Sequence, residues 1–315
     1  MRDVVIVGGG LTGLVTAYEL SQHAVDVTLI EVKRRLGGSI DTRTQADCVL
    51  DGVAFAVHDT LDAEWLEGLG LADETFALET GGIAFKRGTT SLIDALQARI
   101  TATRLMRMAV SSVGELDEKQ RFSICMENGL MFDARALILA VPARYAERMF
   151  YGYITPITEQ LLDYHYDTVY RVSLVCASHA LPTELVTPPD MGYVFIHRTE
   201  HPSRVPAGYT LLQFGIRLHT TPTTEALIAF VREQFGLPAP LTTHVSHWAE
   251  ADPISCYDDH HRARVATIRE QLPTGIALVG SDYALNMPAM PAGVVSLNER
   301  IEQGKRAAHE ALASL

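Results

Sequence analysis

Apolar and polar positions near the start of the chain predict one strand–helix–strand unit. Val4–Val7 is a continuous β-branched run, typical of a strand buried on both faces. Apolar residues then recur at helical spacing from Leu14 to Leu20, and Val25–Ile30 predicts a second strand that ends on Glu31. The whole unit takes about 30 residues, which is the length of a βαβ motif.

Shorter segments follow, and they predict a mixed α/β chain. Helices are predicted over Ala63–Leu71, Leu92–Ile100, Thr224–Phe235 and Ser296–Leu315. Strands are predicted between Asp41 and Val57 around a turn at Asp51 and Gly52, between Met108 and Ala140, over most of Thr168 to His247, and over Ile276–Gly280. No repeat or linker-like composition divides the chain, so we expect interleaved domains.

Three glycines between the first strand and the first helix have the GxGxxG spacing of a dinucleotide-binding turn. Gly8 allows the tight turn, Gly10 allows close approach of a diphosphate, and Gly13 lets the helix pack on the sheet. Leu11 and Thr12 lie within this turn, and the helix that follows has unpaired N–H groups and a positive dipole end that favour phosphate. The acidic end of the second strand, Glu31, is placed to accept hydrogen bonds from a ribose.

Composition and charge narrow the function further. The 315 residues are 47% hydrophobic and 20% charged, which suits a chain with a sizeable core. Lys and Arg total 26 against 38 Asp and Glu, a formal net charge of −12 that argues against a nucleic-acid partner. The apolar runs are too short for a transmembrane segment, although peripheral membrane contact stays open.

The cysteines and the first residues favour a cytoplasmic location. The four cysteines are far apart and form no CxxC pair, which is typical of a reducing compartment. The chain enters a strand pattern at once, without the charged and apolar regions of a signal peptide.

The residues after the second strand resemble the extended FAD fingerprint of the flavin amine oxidase superfamily. That resemblance covers Glu31 and Val32, then Arg35 followed by the second glycine pair, Gly37 and Gly38. It implies a Rossmann-type FAD/NAD(P)-binding domain of the glutathione-reductase-like class, with this second glycine pair beside the diphosphate.

The C-terminal part of the chain also resembles the closing motif of that superfamily. The motif covers Ile276 to Tyr283, a Pro-Ala-Gly-Val-Val segment, and Gly304 to Ala308. The resemblance implies that Asp282 contacts the ribityl or diphosphate region of FAD. It also implies that Gly293, Val294 and Val295 open a helix toward the flavin pyrimidine ring, where a helix dipole stabilises reduced flavin. No cysteine lies near this motif, so we expect noncovalent FAD.

Within the superfamily, the chain is most similar to the protoporphyrinogen oxidase and phytoene desaturase branch. Leu137–Ala143 resembles the strand that precedes the crossing into the substrate domain, and Val110 stands where the branch has a backbone contact to adenine. The resemblance implies a discontinuous FAD domain at 1–57, 85–145 and 270–315, with a mainly β substrate domain at 58–84 and 146–269.

The implied function is transfer of a hydride from a small organic substrate to FAD, with dioxygen or another acceptor reoxidising the flavin. Two other functions stay open. One is an FAD-binding protein without turnover that serves as a partner-binding or assembly factor. The other is a nicotinamide-dependent dehydrogenase that shares only the first motif.

The chain departs from the superfamily in two places. No lysine lies between Gln120 and Gly304, where amine oxidases usually supply a lysine near flavin N5, so a simple amine oxidase is disfavoured. The segment between Val57 and Gly81 is brief, which predicts a smaller or more open substrate cavity.

No residue stands out as a catalytic base, and no metal site is predicted. His244, His247, His260 and His261 do not have zinc-site spacing, and we expect solvated or wall positions for them. The middle strands carry candidates for a pocket wall, although alternation alone does not choose the face: Arg171, Tyr193, Phe195, His197, Phe214 and Arg217.

Overall fold

The computed structural model describes residues 1–52, 61–78, 82–117, 121–186, 194–218, 220–253, 260–285 and 297–315. Within these ranges, a seven-stranded sheet, a four-stranded sheet, two two-stranded sheets and the helices packed against them make up the fold. None of the helices in these ranges is long and apolar enough to cross a membrane.

The larger sheet is mixed, with a parallel centre. Its strands in the described residues are β1 (Arg2–Val7), β2 (Val27–Glu31), β7 (Thr103–Met106), β8 (Val110–Asp117), β9 (Arg121–Met126), β10 (Met131–Leu139) and β15 (Ile276–Leu278). The order is β7-β2-β1-β10-β9-β8, and β15 pairs with the carboxyl half of β10. Strands β7, β2, β1, β10 and β15 are parallel, whereas β9 and β8 are antiparallel additions.

Strand β1 is apolar at successive positions because helices cover both faces of the larger sheet. Val4 and Ile6 pack in a cluster with α1 (Leu11–Leu20), α2 (Ala63–Gly68), α3 (Thr90–Arg99) and α8 (Leu297–Ser314). Val5 and Val7 belong to the opposite cluster, with α4 (Ala143–Phe150), α5 (Thr155–Leu162) and α7 (His261–Gln271). The strand–helix–strand unit predicted from the sequence is therefore present, with the continuous run doubly buried.

The smaller sheet is antiparallel and has two different faces. Its order is β12-β13-β11-β14, formed by β11 (Tyr166–Ala177), β12 (Val194–Thr199), β13 (Tyr209–Leu218) and β14 (Thr242–Pro253). One face carries Val172, Phe214 and other apolar residues that pack on α6 (Thr224–Gln234). The other face meets a hairpin of β3 (Thr42–Gln45) and β4 (Cys48–Asp51). A further two-stranded sheet joins β5 (Thr75–Ala77) and β6 (Ile83–Phe85).

A buried ion pair connects the β3–β4 hairpin to the smaller sheet. Arg204 lies 1% exposed in the loop between β12 and β13, and Asp51, which ends β4, is fully buried. The guanidinium donates to Asp51 Oδ2 at 2.8 Å through Nη2, and to the carbonyls of Val49 and Phe85 through Nε and Nη1. Asp51 Oδ1 accepts from Thr42 Oγ1 at 2.5 Å and from the backbone N–H of Thr89 at 2.8 Å. Each side-chain nitrogen of Arg204 and each carboxylate oxygen of Asp51 thus makes at least one hydrogen bond.

The turn predicted at Asp51 and Gly52 is wrong, because the hairpin reverses five residues earlier. Ala46 and Asp47 have φ of 50° and 57° and connect β3 to β4, whereas Asp51 is paired with Thr42 at the end of the ladder. Two consecutive left-handed residues suit a tight two-residue hairpin turn, and Asp tolerates this conformation better than most residues do.

Helices α4, α5 and α7 were not predicted from the sequence. They share a buried cluster with Val5 and Leu137 of the larger sheet, although the predicted boundary at residue 146 assigns most of these residues to the substrate domain. We propose that they belong with the larger sheet; the remaining domain boundaries stay a prediction.

Candidate functional site

A cavity of about 540 Å³ opens at the carboxyl ends of the parallel strands. Its wall combines residues at or just after the carboxyl ends of β1, β2, β10 and β15 with residues from the loop before β8. Among them are Val7, Gly8, Ile30, Glu31, Ala140, Val141, Val279 and Gly280, with Met108 and Ala109. Crevices at this edge of a parallel sheet are the usual ligand sites of α/β folds.

The glycine turn contacts the backbone closely at two positions, Gly8 and Gly13, where a side chain would not fit. Gly8 has φ of +105°, and a Cβ there would lie 2.3 Å from the carbonyl oxygen of Ala140. A Cβ on Gly13 would lie 2.0 Å from the carbonyl oxygen of Gly8, so only glycine lets α1 start this close to the strand. Gly13 therefore lies behind the turn, in the place that helix–strand packing requires.

Gly10 lies on the open side of the turn. A Cβ added there would meet only the Cα of Gly38 within 4 Å, at 4.0 Å, and Gly10 lines the cavity together with Leu11 and Thr12. Gly10 is the N-cap of α1, with no side-chain capping bond and no acidic residue in the first turn. The positive end of the helix thus faces the cavity with no compensating acid of its own.

The second glycine pair packs directly on the first. The N–H of Gly37 donates to the carbonyl of Gly9 at 2.7 Å, and Gly10 and Gly37 form a parallel bridge. Gly37 and Gly38 line the cavity with φ of +104° and +59°. A Cβ on Gly38 would lie 3.1 Å from the Cα of Gly10, so the two glycine segments pack this closely only without side chains.

Arg35 organises this glycine loop and is absent from the cavity wall. Its guanidinium donates to the carbonyls of Ile40 at 2.8 Å, Gly38 at 3.0 Å and Leu36 at 3.3 Å. The arginine named by the resemblance is therefore placed to fix the loop that carries the second glycine pair.

Glu31 is buried in the wall and joins the glycine turn to the loop after β2. Its Oε2 accepts from the N–H of Gly9 and its Oε1 from the N–H of Lys33, each at 2.7 Å. Each carboxylate oxygen keeps lone pairs for a further donor such as a ribose hydroxyl. The next residue, Val32, also lines the cavity but is 61% exposed.

Val110 and Asp282 both line the cavity. Val110 begins β8 and is buried beside Met108 and Ala109. Asp282 is 2% exposed in the turn after β15, and its Oδ2 accepts from the N–H of Ala143 at 2.7 Å. The hydroxyl of Tyr166 donates to the same carboxylate, and that of Tyr164 donates to the Asp282 carbonyl at 2.8 Å.

The Tyr166 hydroxyl is a permanent donor to Asp282. Burial raises the pKa of this phenol far above its usual value, and the negative charge of Asp282 raises it further. Tyr166 therefore stays neutral at any working pH and ties the start of β11 to the turn after β15.

We expect Tyr166→Phe to lower the free energy of unfolding by about 1–3 kcal/mol, because a buried carboxylate loses a donor. The loss is expected to be the same at pH 6 and pH 9, since the hydroxyl does not titrate there. Urea unfolding monitored by circular dichroism measures it. Tyr153→Phe is the matched control, because the Tyr153 hydroxyl makes only a long, exposed bond of 3.4 Å to Glu115. Equal losses in the two variants would contradict the prediction.

Gly293, Val294 and Val295 lie outside the described residues, as does Tyr193. Backbone positions are described for Phe195 and Arg217, on β12 and β13. Arg171 and His197 are buried on strands of the smaller sheet, whereas Phe214 packs on Phe235 at 4.9 Å on the α6 side.

The four histidines are spread over different environments. His244 is half-buried, and burial lowers its pKa. The ring of His247 packs against that of Tyr170, and His260 is the N-cap of α7. The Nε2 of His261 lies 2.7 Å from the carbonyl of Ala284. In the part of the chain that the structure describes, no group of three metal-ligating side chains comes together.

One wall residue, Arg300, was missed by the sequence reasoning. It lies in the first turn of α8, is 7% exposed and faces the cavity. A signal was present, because helical spacing puts Arg300 on the face that carries Gly304, Ala307 and Ala311, all of them buried. A charged residue on a helix face of small buried residues indicates a buried charge, which is rare unless it has a partner.

Comparison with known proteins covers the first part of the chain by sequence. The family described as NAD(P)-binding Rossmann-like domain matches residues 6–69. Polyamine oxidase 5 of Oryza sativa subsp. japonica is 35% identical over 67 residues, which are 21% of this chain and 12% of that protein. The matched stretch thus spans about an eighth of the length of that relative.

Solved structures match almost the whole chain. A candidate protoporphyrinogen oxidase from Exiguobacterium sp. 255-15 has a TM-score of 0.77 and 14% identity, covering 99% of each chain. Cyclohexylamine oxidase from Brevibacterium oxydans IH-35A has a TM-score of 0.67 and 12% identity, with the same coverage. These comparisons confirm the predicted α/β fold with a Rossmann-type domain.

Proposed function

We propose that this chain, which has the fold of the flavin amine oxidase superfamily, binds FAD noncovalently and acts as an oxidoreductase on a small organic substrate. The observation that carries the proposal is one continuous cavity that joins the glycine turn, Glu31 and Asp282 at the carboxyl edge of parallel strands. A site for a simple mononucleotide would not need both ends of this edge.

The residues of the wall fit a flavin dinucleotide. The open side of Gly10, the α1 N-terminus, and the pair Gly37 and Gly38 offer an uncrowded, positive surface for a diphosphate. Glu31 would hold the adenosine ribose and Val110 would border the adenine, while Asp282 would lie toward the ribityl chain. The last two assignments rest on the resemblance and on the shared cavity.

When bound, FAD supplies the chemistry of a two-electron acceptor that takes a hydride. The protein's part is to bind and orient the cofactor and to keep water from the reacting atoms. The buried wall formed by Val7, Ile30 and Val279 offers an apolar surface on which the cofactor can be bound and oriented. Dioxygen as the acceptor and a cytoplasmic location belong to this proposal as well.

The first measurement is the visible spectrum of the purified protein, with chromatography of what heat or acid releases. We expect flavin absorbance, and FAD as the released compound at about one per chain, because the cavity wall provides for both the nucleotide and the flavin half. Anaerobic bleaching by candidate substrates then tests turnover.

Other outcomes of this measurement separate the competing functions. Bound FAD that no donor bleaches would favour a cofactor-binding partner protein. A colourless protein that takes up added NAD or NADP, and no FAD, would overturn the proposal in favour of a nicotinamide-dependent dehydrogenase. Noncovalent attachment is refuted if flavin absorbance stays with the denatured protein.

A further inference from the structure

Arg300 is a buried cation without a counterion among the described residues. Within the described parts of the chain its Nε and Nη2 have no hydrogen-bond partner, although the side chain is 7% exposed and faces the cavity. Burial without a partner lowers the pKa of this guanidinium to about 10, so it still carries its charge at neutral pH. A native chain rarely leaves a buried charge unpaired unless something else completes it.

The packing of α8 brings Arg300 to the start of α1. A Cβ on Gly304 would lie 2.8 Å from the carbonyl oxygen of Thr12, and Thr16 Oγ1 donates to the carbonyl of Gly304 at 3.2 Å. Arg300 also lines the same cavity as Gly10 and Leu11, at the start of α1. Arg300, one turn before Gly304, therefore lies toward the cavity end of α1.

A second contact fixes the position of this turn of α8. The Oε1 of Gln303 accepts from the N–H of Gly280 at 2.8 Å, which joins α8 to the loop after β15. The turn of α8 that carries Arg300 is thus fixed both to α1 and to the loop after β15.

The electrostatics at this point require an anion. The positive end of α1 has no acid in its first turn, and the Arg300 charge faces the same cavity. Of the acids in the wall, Glu31 accepts from the N–H groups of Gly9 and Lys33, Asp282 accepts from Ala143 and Tyr166, and Glu127 follows β9. A negative group bound between the α1 N-terminus and Arg300 would be stabilised by both positive elements.

We infer that Arg300 binds the diphosphate of the dinucleotide and selects for ligands that carry one. The inference deepens the proposed function, since FAD is the ligand proposed for the cavity. A guanidinium can donate two parallel bonds to phosphate oxygens, which a helix N-terminus complements with backbone N–H groups. Arg300 therefore recognises the negative charge of the diphosphate, and the glycine turn binds the same group through its backbone.

The test compares Arg300→Gln and Arg300→Lys with wild type, after removal of bound ligand. Dissociation constants are measured by calorimetry for FAD, ADP-ribose, NAD and riboflavin, which separate the diphosphate from the flavin ring. Arg306→Gln is the matched control, because Arg306 lies on the same helix, half-exposed, 4.0 Å from Glu310.

We expect Arg300→Gln to weaken FAD and ADP-ribose about 10- to 100-fold, and Arg300→Lys to recover part of that loss. Any weak riboflavin binding should be unchanged. The ligand-free Arg300→Gln protein should melt at or above the wild-type temperature, because it loses an unpaired buried charge. A purely structural arginine would instead lower that temperature.

Failure of this inference is distinct from failure of the proposed function. Wild type that binds FAD, with an Arg300→Gln variant within twofold of it, overturns the role of Arg300 alone. Wild type that binds ADP-ribose and NAD but not FAD overturns the flavin proposal and leaves the Arg300 inference testable on those ligands. Binding of none of the four overturns both.

Discussion

Replacing Asp51 with alanine is expected to lower the free energy of unfolding by about 3–5 kcal/mol, because it leaves the Arg204 guanidinium buried without its counterion. Asp51 and Arg204 are both almost fully buried, and their 2.8 Å contact joins the β3–β4 hairpin to the smaller sheet. A marginally stable domain would lose a large part of its stability.

Urea unfolding of single and double variants apportions this effect. Asp51→Ala and Arg204→Ala are each expected to lower the free energy of unfolding by more than half of the loss in the double variant. The reason is that either single change leaves a buried charge without its counterion, or buried acceptors without their donor. The carbonyls of Val49 and Phe85, which accept from Arg204, lose their donor in both Arg204 variants.

The matched control is Asp26→Ala, which breaks the 2.9 Å contact with Arg2 on the surface. With side chains 36% and 46% exposed, this pair should contribute at most about 1 kcal/mol. If Asp51→Ala costs no more than Asp26→Ala, the buried pair does not hold the two parts of the fold together.

This ion pair shows what the sequence could not reveal. Asp51 and Arg204 are 153 residues apart, and nothing in the local pattern around either one indicates a partner. Asp51 stands beside a glycine, which favours a turn in a sequence-based prediction. The structure instead uses the aspartate as the end of a strand.

The glycine motif could be predicted because its signals are local. The strand, the glycine turn, α1 and Glu31 lie within 31 residues, and each position has a steric or hydrogen-bonding reason that spacing alone reveals. Helix α4 was missed because Pro142 marks the end of the strand before it, yet it also serves as the N-cap of the helix. Proline ends a strand because it has no N–H for the ladder, and it is also tolerated at a helix start, where that N–H needs no intrahelical partner, so the pattern does not decide.

Arg35 and Arg300 show the same limit for charged residues. The resemblance drew attention to Arg35, which donates to three backbone carbonyls of its own loop. Arg300, outside any recognised motif, lies in the cavity wall, and its Nε and Nη2 have no hydrogen-bond partner among the described residues. Which of two arginines faces a ligand depends on tertiary packing, which spacing does not encode.

The second large effect is expected at Gly13, where alanine should disrupt both the turn and the cofactor site. A Cβ would lie 2.0 Å from the carbonyl oxygen of Gly8, and this backbone atom cannot move without shifting the whole turn. We expect the free energy of unfolding to fall by about 1–3 kcal/mol, as in overpacked cores. FAD affinity should fall about 100-fold, because displacement of α1 removes more than one N–H contact to phosphate.

Gly10→Ala separates an effect on FAD affinity from an effect on the stability of the fold. A Cβ there would have only the Gly38 Cα at 4.0 Å, and Gly10 already has φ of −73°, so the fold accommodates alanine. The loss of a preferred N-cap should cost at most about 1 kcal/mol of stability. The methyl group nevertheless enters the space proposed for the diphosphate, so FAD affinity should still fall by about tenfold or more.

Calorimetric titration and urea unfolding of Gly10→Ala and Gly13→Ala give the comparison. A Gly10→Ala protein that binds FAD as wild type does would place the diphosphate away from Gly10, and would leave the Gly13 effect as a matter of folding alone.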